Sequence, residues 1–333
     1  MNIYDIAKEA GVSISTVSRV MNHKDNVNPA TRQKVEEVLE KSGRRPVPRA
    51  TGAQSGAMDG RMRRVAVLTV DIRVPHYART AYTIERECSR RGYETILCNT
   101  GGEFQETVRY LQAVVEKQVD GIILVGSVFN TLCKDPKLEV LLKTTPVVLA
   151  NGKLDIPDSY SVLVDDRYGI SLAVDHLLQQ GHQEIYYLKD MDTTSARLKC
   201  QGFLDSALRH GFKDAQHRVL ETTPDIQGGI RAVGQLLQEE KPFTAIVCGE
   251  DITAVGVVKG LLKAGRRIPE DVAVTGYNCS EYARLCEPQL TTIDNKPELV
   301  AMLSVQLLTS LIEKTDAYSS CTIQPELVKG ETT

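Results

Sequence analysis

The hydrophobic pattern of the first forty residues predicts three short amphipathic helices. Gly11 ends the first helix, Ser13 caps the second, and Asn28 with Pro29 begins the third, which ends at Gly43. Apolar residues recur in these helices at spacings of three and four, and the ones expected to share a small core are Ile3, Ile6, Ala7, Ala10, Val17, Val20, Met21, Val35, Val38 and Leu39.

The first two predicted helices are joined by only a few residues, so they must cross steeply. Ala7 is small enough for such a contact, and Gly11 permits the sharp corner. This spacing predicts a helix-turn-helix, whose second helix lies in the major groove of DNA. The face of that helix opposite the core, which we predict to bind DNA, carries Ser13, Ile14, Ser15, Thr16, Arg19, Asn22 and His23.

The side chains on this face suit contacts with DNA. Arg19 is suited to guanine or a phosphate, and Ile14 and Ser15 are suited to base edges or a thymine methyl group. The hydroxyl and amide groups that suit phosphate oxygens belong to Ser13, Thr16 and Asn22. Ser and Thr on an exposed helix are often only solvated, so it is their combination with the predicted turn that indicates DNA binding.

From Val65 onwards, short apolar runs alternate with segments of helical periodicity. The runs that predict strands are VAVLTV, ETILC, GIILV, PVVLA, SVLVD, EIYYL, HRVLE, TAIVC and DVAVTG. Runs this apolar are buried on both faces, which is typical of a parallel sheet covered by helices. Residues 64–333 exceed one such core, so we expect an α/β body of two doubly wound parallel-sheet subdomains behind an all-α domain at 1–45 and a linker at 46–63.

Ligands of doubly wound sheets bind beyond the carboxyl ends of the strands, so the polar residues after each run are candidate binding residues. Amides, carboxylates and hydroxyls dominate this set, and two aromatic rings accompany them, which suits a sugar or a nucleoside. The set includes the run from Asp190 to Ser195, and the residues that we select from it as binding candidates are Asp71, His76, Tyr77, Ser127, Asn151, Ser195, Glu250, Asp251, Asn278 and Asn295.

The net charge of -3 conceals a division along the chain. Residues 1–64 carry 12 Lys and Arg against 7 Asp and Glu, whereas the remainder carries 28 against 36. A basic head on an acidic body indicates a polyanion partner for the head, although a solvated charged surface would also explain the excess.

Composition narrows the class of protein. With 42% hydrophobic and 25% charged residues, the chain is typical of a folded globular protein. No apolar run approaches a membrane span, and MNIYDIAKEA does not resemble a secretion signal. The 8 cysteines lack CxxC spacing, so we expect reduced thiols in a cytoplasmic protein with no metal site, cofactor or membrane segment.

The segment IYDIAKEAGVSISTVSRVMNHKDNVNPATRQKVEEVLEKSG resembles the N-terminal DNA-binding domain of the LacI/GalR family of bacterial transcriptional regulators. Its most specific part is AGVSxxTVSRVxN at residues 10–22. The resemblance implies that Ile14, Ser15 and Arg19 occupy the base-reading positions of the recognition helix.

The next segment resembles the family's hinge helix only in part, at Pro46 and Ala50. The departures, which include the place of the leucine that enters the minor groove, are Pro48, Thr51, Gly52 and Ala53. Gly and Pro lower helix stability by roughly 1 and 3 kcal/mol relative to Ala, so RPVPRATGAQSGAMDG is a poor helix. We therefore expect no minor-groove wedge, and a flexible linker whose phosphate contacts come from Arg44, Arg45 and Arg49.

The body resembles the regulatory core of the same family, which is similar to the periplasmic sugar-binding fold. Among the blocks that carry the resemblance are CGEDITAVGVVKGLLKAGRRIPEDVAVTGYN and PQLTTID. The resemblance implies a pocket that includes His76, Tyr77, Glu250 and Asp251, and it adds Lys199. Lys199 stands at the position of a pocket arginine and Asn278 at that of a pocket aspartate, so we expect an effector different from those of the best-known members.

These observations together predict a DNA-binding transcriptional regulator, a repressor whose affinity for double-stranded operator DNA is set by a sugar-like effector between the subdomains. We expect a homodimer, since two recognition helices on a twofold axis read a palindromic site. One subdomain would contain about 64–160 and 292–320, and the other about 161–291 and 321–333.

Two other classes of protein use a similar body. An enzyme on a doubly wound frame is disfavoured, and no catalytic residue is predicted, because the chain lacks GxGxxG after a strand, GxxxxGK[ST], HExxH and GxSxG. A transport-associated binding protein would share the body, but the basic head and the lack of a secretion signal argue against it.

Overall fold

The structure is a computed structural model that describes residues 7, 9–13, 16–17, 20, 28, 31, 33–35, 38, 62–155, 159–212, 214–315 and 317–333. The chain divides into two compact units, Met1–Gly60 and Arg61–Thr333. The division falls inside the segment 46–63 that the sequence predicts to be a linker.

The described residues of the first unit contain the small core that the periodicity predicts. Its buried members are Ala7, Val17, Val20, Val35 and Val38. The Thr16 backbone N–H donates a hydrogen bond to the Ser13 hydroxyl oxygen at 3.2 Å, and Gly11 has a φ of +66°. Ser13 and Gly11 therefore act as the predicted cap and corner, whereas the predicted core residues Met21 and Leu39 lie outside the described residues.

The second unit alternates strands and helices, which are numbered here from its start. The strands are β1 (Arg64–Thr69), β2 (Glu94–Asn99), β3 (Gly121–Val125), β4 (Val147–Ala150), β5 (Tyr160–Val164), β6 (Ile185–Lys189), β7 (Val219–Glu221), β8 (Ala245–Cys248), β9 (Ala273–Thr275), β10 (Thr292–Asp294), β11 (Ser320–Ile323) and β12 (Glu326–Val328).

The α-helices of this unit are α1 (Pro75–Arg90), α2 (Phe104–Glu116), α3 (Pro136–Thr144), α4 (Asp166–Gln179), α5 (Thr194–Arg209), α6 (Ile226–Gln238), α7 (Asp251–Lys263), α8 (Glu281–Leu285) and α9 (Pro297–Ile312). Two 3₁₀ segments, Ser127–Lys134 and Ala215–Arg218, complete the described helical structure.

Two parallel sheets organise this unit. The first has the strand order β11-β5-β4-β3-β1-β2 and the second β7-β6-β8-β9, and every neighbouring pair in both is parallel. β10 and β12 form a separate antiparallel pair. The α/β class with two parallel-sheet subdomains is therefore confirmed.

Both faces of each sheet are buried, which explains the continuous apolar runs. Successive residues of β1 belong to different hydrophobic cores. Val65 and Val67 pack in one core, and Ala66 and Leu68 pack in the other. Because a strand turns alternate side chains to opposite faces, burial of all four requires helices on both sides.

Strand pairing corrects two of the predicted subdomain boundaries. β5 pairs with β4, and β11 pairs with β5, so both strands belong to the first sheet. The expected boundaries after residues 160 and 320 were therefore wrong by a few residues. The chain leaves the first sheet after Val164 and again after Ile323.

Candidate functional site

A polar cavity lies between the two sheets, where the carboxyl ends of strands from both converge. The space between its walls is about 690 Å³ when the open mouth is included. Nine of the eleven predicted effector residues line it: His76, Tyr77, Ser127, Asn151, Ser195, Lys199, Glu250, Asn278 and Asn295.

The other two predicted residues have local partners outside the lining of this cavity. Asp71 pairs with Arg73, with 2.7 Å between the Asp71 Oδ2 and Arg73 Nη2 atoms. Asp251 is buried and accepts hydrogen bonds from the Ser280 amide and hydroxyl, both at 2.7 Å, and from the Thr292 hydroxyl at 2.6 Å. Burial raises the pKa of Asp251 to about 7. The pairing with Arg73 therefore stabilises the loop that contains Asp71. The hydrogen bonds of Asp251 hold the start of α7 against Ser280 and Thr292.

Lys199 carries the positive charge of the cavity. It is only 5% exposed, and its Nζ atom donates to the Gly249 carbonyl oxygen at 2.8 Å and to Glu250 Oε1 at 3.3 Å. The same nitrogen lies 3.9 Å from the centre of the Tyr277 ring. Burial opposes ionisation, but Glu250 and two further carboxylates outweigh it and raise the pKa of Lys199. The ammonium group is therefore charged and held in place.

Asp166 is a cavity residue that sequence reasoning missed. The preceding Asp165 caps α4 by accepting the Tyr168 N–H at 2.9 Å, as adjacent strand-end acids often do. Asp166 itself is buried and accepts hydrogen bonds from the Tyr277 hydroxyl at 2.7 Å and the Ser195 hydroxyl at 2.5 Å. Burial raises the pKa of Asp166. Nothing in the sequence distinguishes these neighbouring acids, since only burial separates their roles.

A row of amides crosses the cavity. Asn295 Nδ2 donates to Asn278 Oδ1 at 2.8 Å, and Asn278 Nδ2 donates to Glu250 Oε2. The φ of Asn278 is +96°, a strained value for a residue with a side chain. His76 Nδ1 lies 3.5 Å from Asn278 Nδ2. Burial and two nearby cations lower the pKa of His76 to about 3, so its imidazole is neutral.

Aromatic rings form part of one wall. The ring centroids of His76 and Tyr77 are 4.0 Å apart, both at the start of α1. Burial raises the pKa of Tyr77, which keeps its phenol protonated. These two rings therefore offer neutral polar atoms and flat faces, the combination that suits a polyhydroxylated ring.

Asp190 is a second carboxylate that lines the cavity, and it begins the polar run that follows the predicted strand EIYYL. It is 6% exposed, and its Oδ2 atom accepts a hydrogen bond from the Thr253 hydroxyl at 2.8 Å. Burial, and then the nearby charge of Glu250, raises the pKa of Asp190 to about 7. The sequence analysis places the whole run from Asp190 to Ser195 among the strand-end candidates and selects Ser195 from it as a binding residue; the structure adds Asp190 to the lining of the cavity.

The predicted DNA-binding face is described only in part. The Ser13 and Thr16 hydroxyl oxygens lie 2.8 Å apart, so these two side chains support each other at the start of the second helix. The other predicted DNA-binding residues lie outside the described residues: Ile14, Ser15, Arg19, Asn22, His23 and Arg49. The hinge positions from Arg44 to Ala53 lie outside them as well.

The part of the chain that the structure describes contains neither a metal-type cluster nor a membrane-spanning helix. No three His, Cys, Asp or Glu side chains stand together there as a metal site. None of the helices in that part of the chain is both long and apolar enough to cross a membrane.

A helix-turn-helix head joined to a two-sheet body with a polar cleft is the architecture of a ligand-responsive DNA-binding regulator. Residues 2–46 match the model of the bacterial regulatory proteins of the lacI family. Residues 174–333 match the model of a periplasmic binding protein-like domain.

Characterised relatives agree with both matches. An HTH-type transcriptional regulator of Lachnoclostridium phytofermentans is 32% identical over 335 residues, which cover 100% of this chain and 99% of the relative. The ribose operon repressor of Escherichia coli strain K12 is 31% identical over 307 residues, 91% of each chain. The solved lac repressor dimer, bound to operator and an anti-inducer, has the same fold, with a TM-score of 0.79 at 24% identity over 100% of this chain and 98% of that one.

The chain belongs to the lacI family of bacterial regulatory proteins. It is a DNA-binding transcriptional regulator, and because its relatives are regulators and repressors, the prediction that it is not an enzyme is confirmed.

Proposed function

We propose that this regulator is a cytoplasmic homodimeric repressor that binds double-stranded operator DNA through its heads and releases or retains it according to a sugar-like molecule in the cleft. The observation that carries the proposal is the convergence of nine polar residues, predicted from sequence, on one cavity between the two sheets. The name of the ribose operon repressor, a relative over 91% of its length, supports a sugar effector.

The chemistry of the cavity supports a polyhydroxylated ligand. Amide and carboxylate groups of Asn278, Asn295 and Glu250 are joined by hydrogen bonds, and Ser127 and Ser195 also line the cavity. Sugars present many hydroxyl groups that both donate and accept hydrogen bonds, so a mixed set of this kind recognises them well.

We assign base reading to Ile14, Ser15 and Arg19 of the recognition helix. Phosphate contacts come from the remaining polar side chains of the head and linker: Ser13, Thr16, Asn22, His23 and Arg49. The net charge of +5 on residues 1–64 supports an approach to DNA that weakens as salt concentration rises.

An exposed apolar surface supports dimer formation. α1 and α9 lie side by side, joined by the ion pair of Arg79 and Glu298 at 2.8 Å. Tyr82 follows Arg79 on α1 and is 64% exposed, while Leu299 and Met302 follow Glu298 on α9 and are also exposed. A second copy would cover these side chains, and the lac repressor, which shares the fold, was solved as a dimer.

A mobility-shift experiment tests the proposal. The full chain, mixed with DNA from upstream of its own gene, should shift one specific fragment at salt concentrations at which scrambled DNA stays free. Arg19→Ala should weaken that shift by about 1–3 kcal/mol and relax the choice of base at one position of each half-site. Arg73→Ala removes an exposed arginine from the body and should bind as the parent chain does. Equal shifts of specific and scrambled DNA by the parent chain would reject the proposal.

A further inference from the structure

We propose that the effector is a sugar-sized polyol that carries an amino group, and that its ammonium pairs with Asp190. This inference rests on the proposed function, since it specifies the ligand of the same cavity. The geometry of the charged and unpartnered groups in the cavity carries it.

The cavity contains more negative than positive groups. Among the described residues of its lining, Lys199 is the only lysine or arginine, whereas three carboxylates line it: the buried Asp166 and Asp190 and the half-buried Glu250. His76 adds no charge, because burial and nearby cations keep its imidazole neutral. One ammonium thus stands against three acidic groups, and a buried carboxylate without a cation is costly.

The ammonium group of Lys199 already has other partners. Its ammonium donates to the Gly249 carbonyl oxygen and to Glu250, and it lies over the Tyr277 ring. Asp166 is satisfied differently, by hydroxyl donors on both of its oxygens. The carboxylate that remains without a strong donor is Asp190.

Asp190 is placed to receive a cation from the ligand. The Thr253 hydroxyl donates to its Oδ2 atom, and no lysine, arginine or histidine among the described residues lies within ion-pair distance of it. A β-carbon added at Gly249 would lie 2.7 Å from Asp190 Oδ1 and 3.3 Å from the Tyr187 hydroxyl oxygen, so the glycine leaves room beside this carboxylate. An ammonium that reaches Oδ1 from the cavity, which Asp190 lines, would donate to it and supply the missing positive charge.

A second acceptor also lacks a donor. Asn295 is 5% exposed and lines the cavity, and although its nitrogen donates to Asn278, its Oδ1 atom has no hydrogen-bond partner among the described residues. A buried unpaired acceptor calls for a donor on the ligand. A hydroxyl group supplies that donor, whereas a phosphate or carboxylate would bring further acceptors and negative charge.

Calorimetric titration of the full-length protein at pH 7.5 with matched pairs tests the inference. The pairs are D-glucosamine with D-glucose, D-galactosamine with D-galactose and D-mannosamine with D-mannose, and glucose 6-phosphate is the anionic probe. At least one amino sugar should bind about 10-fold more tightly than its own neutral partner, which equals about 1.4 kcal/mol. Glucose 6-phosphate should bind more weakly than glucose.

Two variants assign the preference to Asp190. Asp190→Asn should abolish the advantage of the amino sugar, so that the two sugars of a pair bind with Kd values within about 2-fold of each other. Asp192→Asn is the matched control, because that carboxylate is 73% exposed and pairs with Arg197, and it should preserve the advantage. Gly249→Ala, which crowds Asp190 Oδ1 without changing charge, should reduce amino-sugar binding and serves if Asp190→Asn fails to fold.

The outcomes separate the inference from the proposed function. If a neutral or phosphorylated sugar binds more tightly than every amino sugar and alters the DNA shift, the inference is overturned and the proposed function stands. If no compound in the panel binds, the inference is also overturned, and the mobility shift alone then decides whether the chain is an operator-binding repressor.

Discussion

The Ser195 backbone N–H donates a hydrogen bond of 3.1 Å to the Ser127 hydroxyl oxygen. Ser127 begins the 3₁₀ segment after β3 of the first sheet. Ser195 lies in the first turn of α5, a helix that contacts β6 of the second sheet. The bond therefore joins the two walls of the cavity. Opening the cleft would break it and expose a helix N-terminal amide to water.

Ser127→Ala should favour the open cleft, because it removes the acceptor of this bond. A hydrogen bond contributes about 1 kcal/mol, so the effector Kd should increase about 5-fold. Calorimetry with the best-binding sugar measures this change, and small-angle scattering should show a larger radius of gyration without ligand. Ser171→Ala, which removes a hydroxyl bonded only to the Tyr168 carbonyl oxygen, is the control. An unchanged Kd in Ser127→Ala would show that the bond does not contribute to closure.

Lys199→Met should destabilise the body strongly. The substitution leaves Glu250 buried without its cation, and breaking a buried pair from one side costs about 3–5 kcal/mol. Guanidinium unfolding followed by circular dichroism measures the loss. The double variant Lys199→Met with Glu250→Gln removes both charges and should recover much of it, whereas equal losses in both variants would mean that the charge of Glu250 is not the cause.

Most strands were predictable from sequence because strands that are buried on both faces consist mainly of apolar residues. All nine apolar runs form strands of the two parallel sheets. The strands that were missed, β10, β11 and β12, are three or four residues long and partly exposed, as in Ser320–Ile323, where only Ile323 is buried. Short strands at a sheet edge or outside the main sheets lack the hydrophobic pattern that identifies the others.

The position of the site could be predicted from the sequence, but the direction of each side chain could not. The rule that ligands bind beyond strand ends selected eight cavity residues, including Ser127 after β3 and Asn151 after β4, and the family resemblance added Lys199. The same rule selected Asp71 and Asp251, because it identifies the edge of a sheet and not the direction of each side chain. Asp166 was missed for the converse reason, since its burial depends on Tyr277, which is 111 residues away in the chain.

Gly256→Ala should destabilise the second sheet's helical layer. α6 and α7 cross closely, and a β-carbon on Gly256 would collide with the Ile226 carbonyl oxygen. Overpacking of this kind costs about 1–3 kcal/mol, measured by denaturant unfolding. Gly256 lies in α7; Gly234→Ala, in α6, meets no atom within 4 Å and should instead stabilise the protein by about 0.5–1 kcal/mol. If the free energy of unfolding falls in Gly256→Ala and rises in Gly234→Ala, the collision with the Ile226 carbonyl oxygen, and not helix propensity, determines the effect at Gly256.

Asp190 should make the stability of the ligand-free body depend on pH. Burial raises its pKa from 3.8 to about 7, with Glu250 raising it further and Lys199 opposing, while Tyr187 and Cys248 face it as neutral groups. Between these two values the folded protein holds a proton that the unfolded chain has lost. Stability should therefore fall as pH rises from about 4 to about 7, by about 4 kcal/mol in total, and remain low above that range.

Asp190→Asn removes this titration and keeps an oxygen that can accept the Thr253 hydroxyl. The variant should be more stable than the parent chain at pH 8 and should lose that advantage near pH 4, as measured by guanidinium unfolding across the range. Asp192→Asn should not show this gain, because Arg197 and Lys189 lower the pKa of Asp192, so that its carboxylate favours the folded state. If Asp190→Asn gave no advantage at pH 8, the empty cavity would already neutralise Asp190, and the requirement for a cation from the ligand would lose its physical basis.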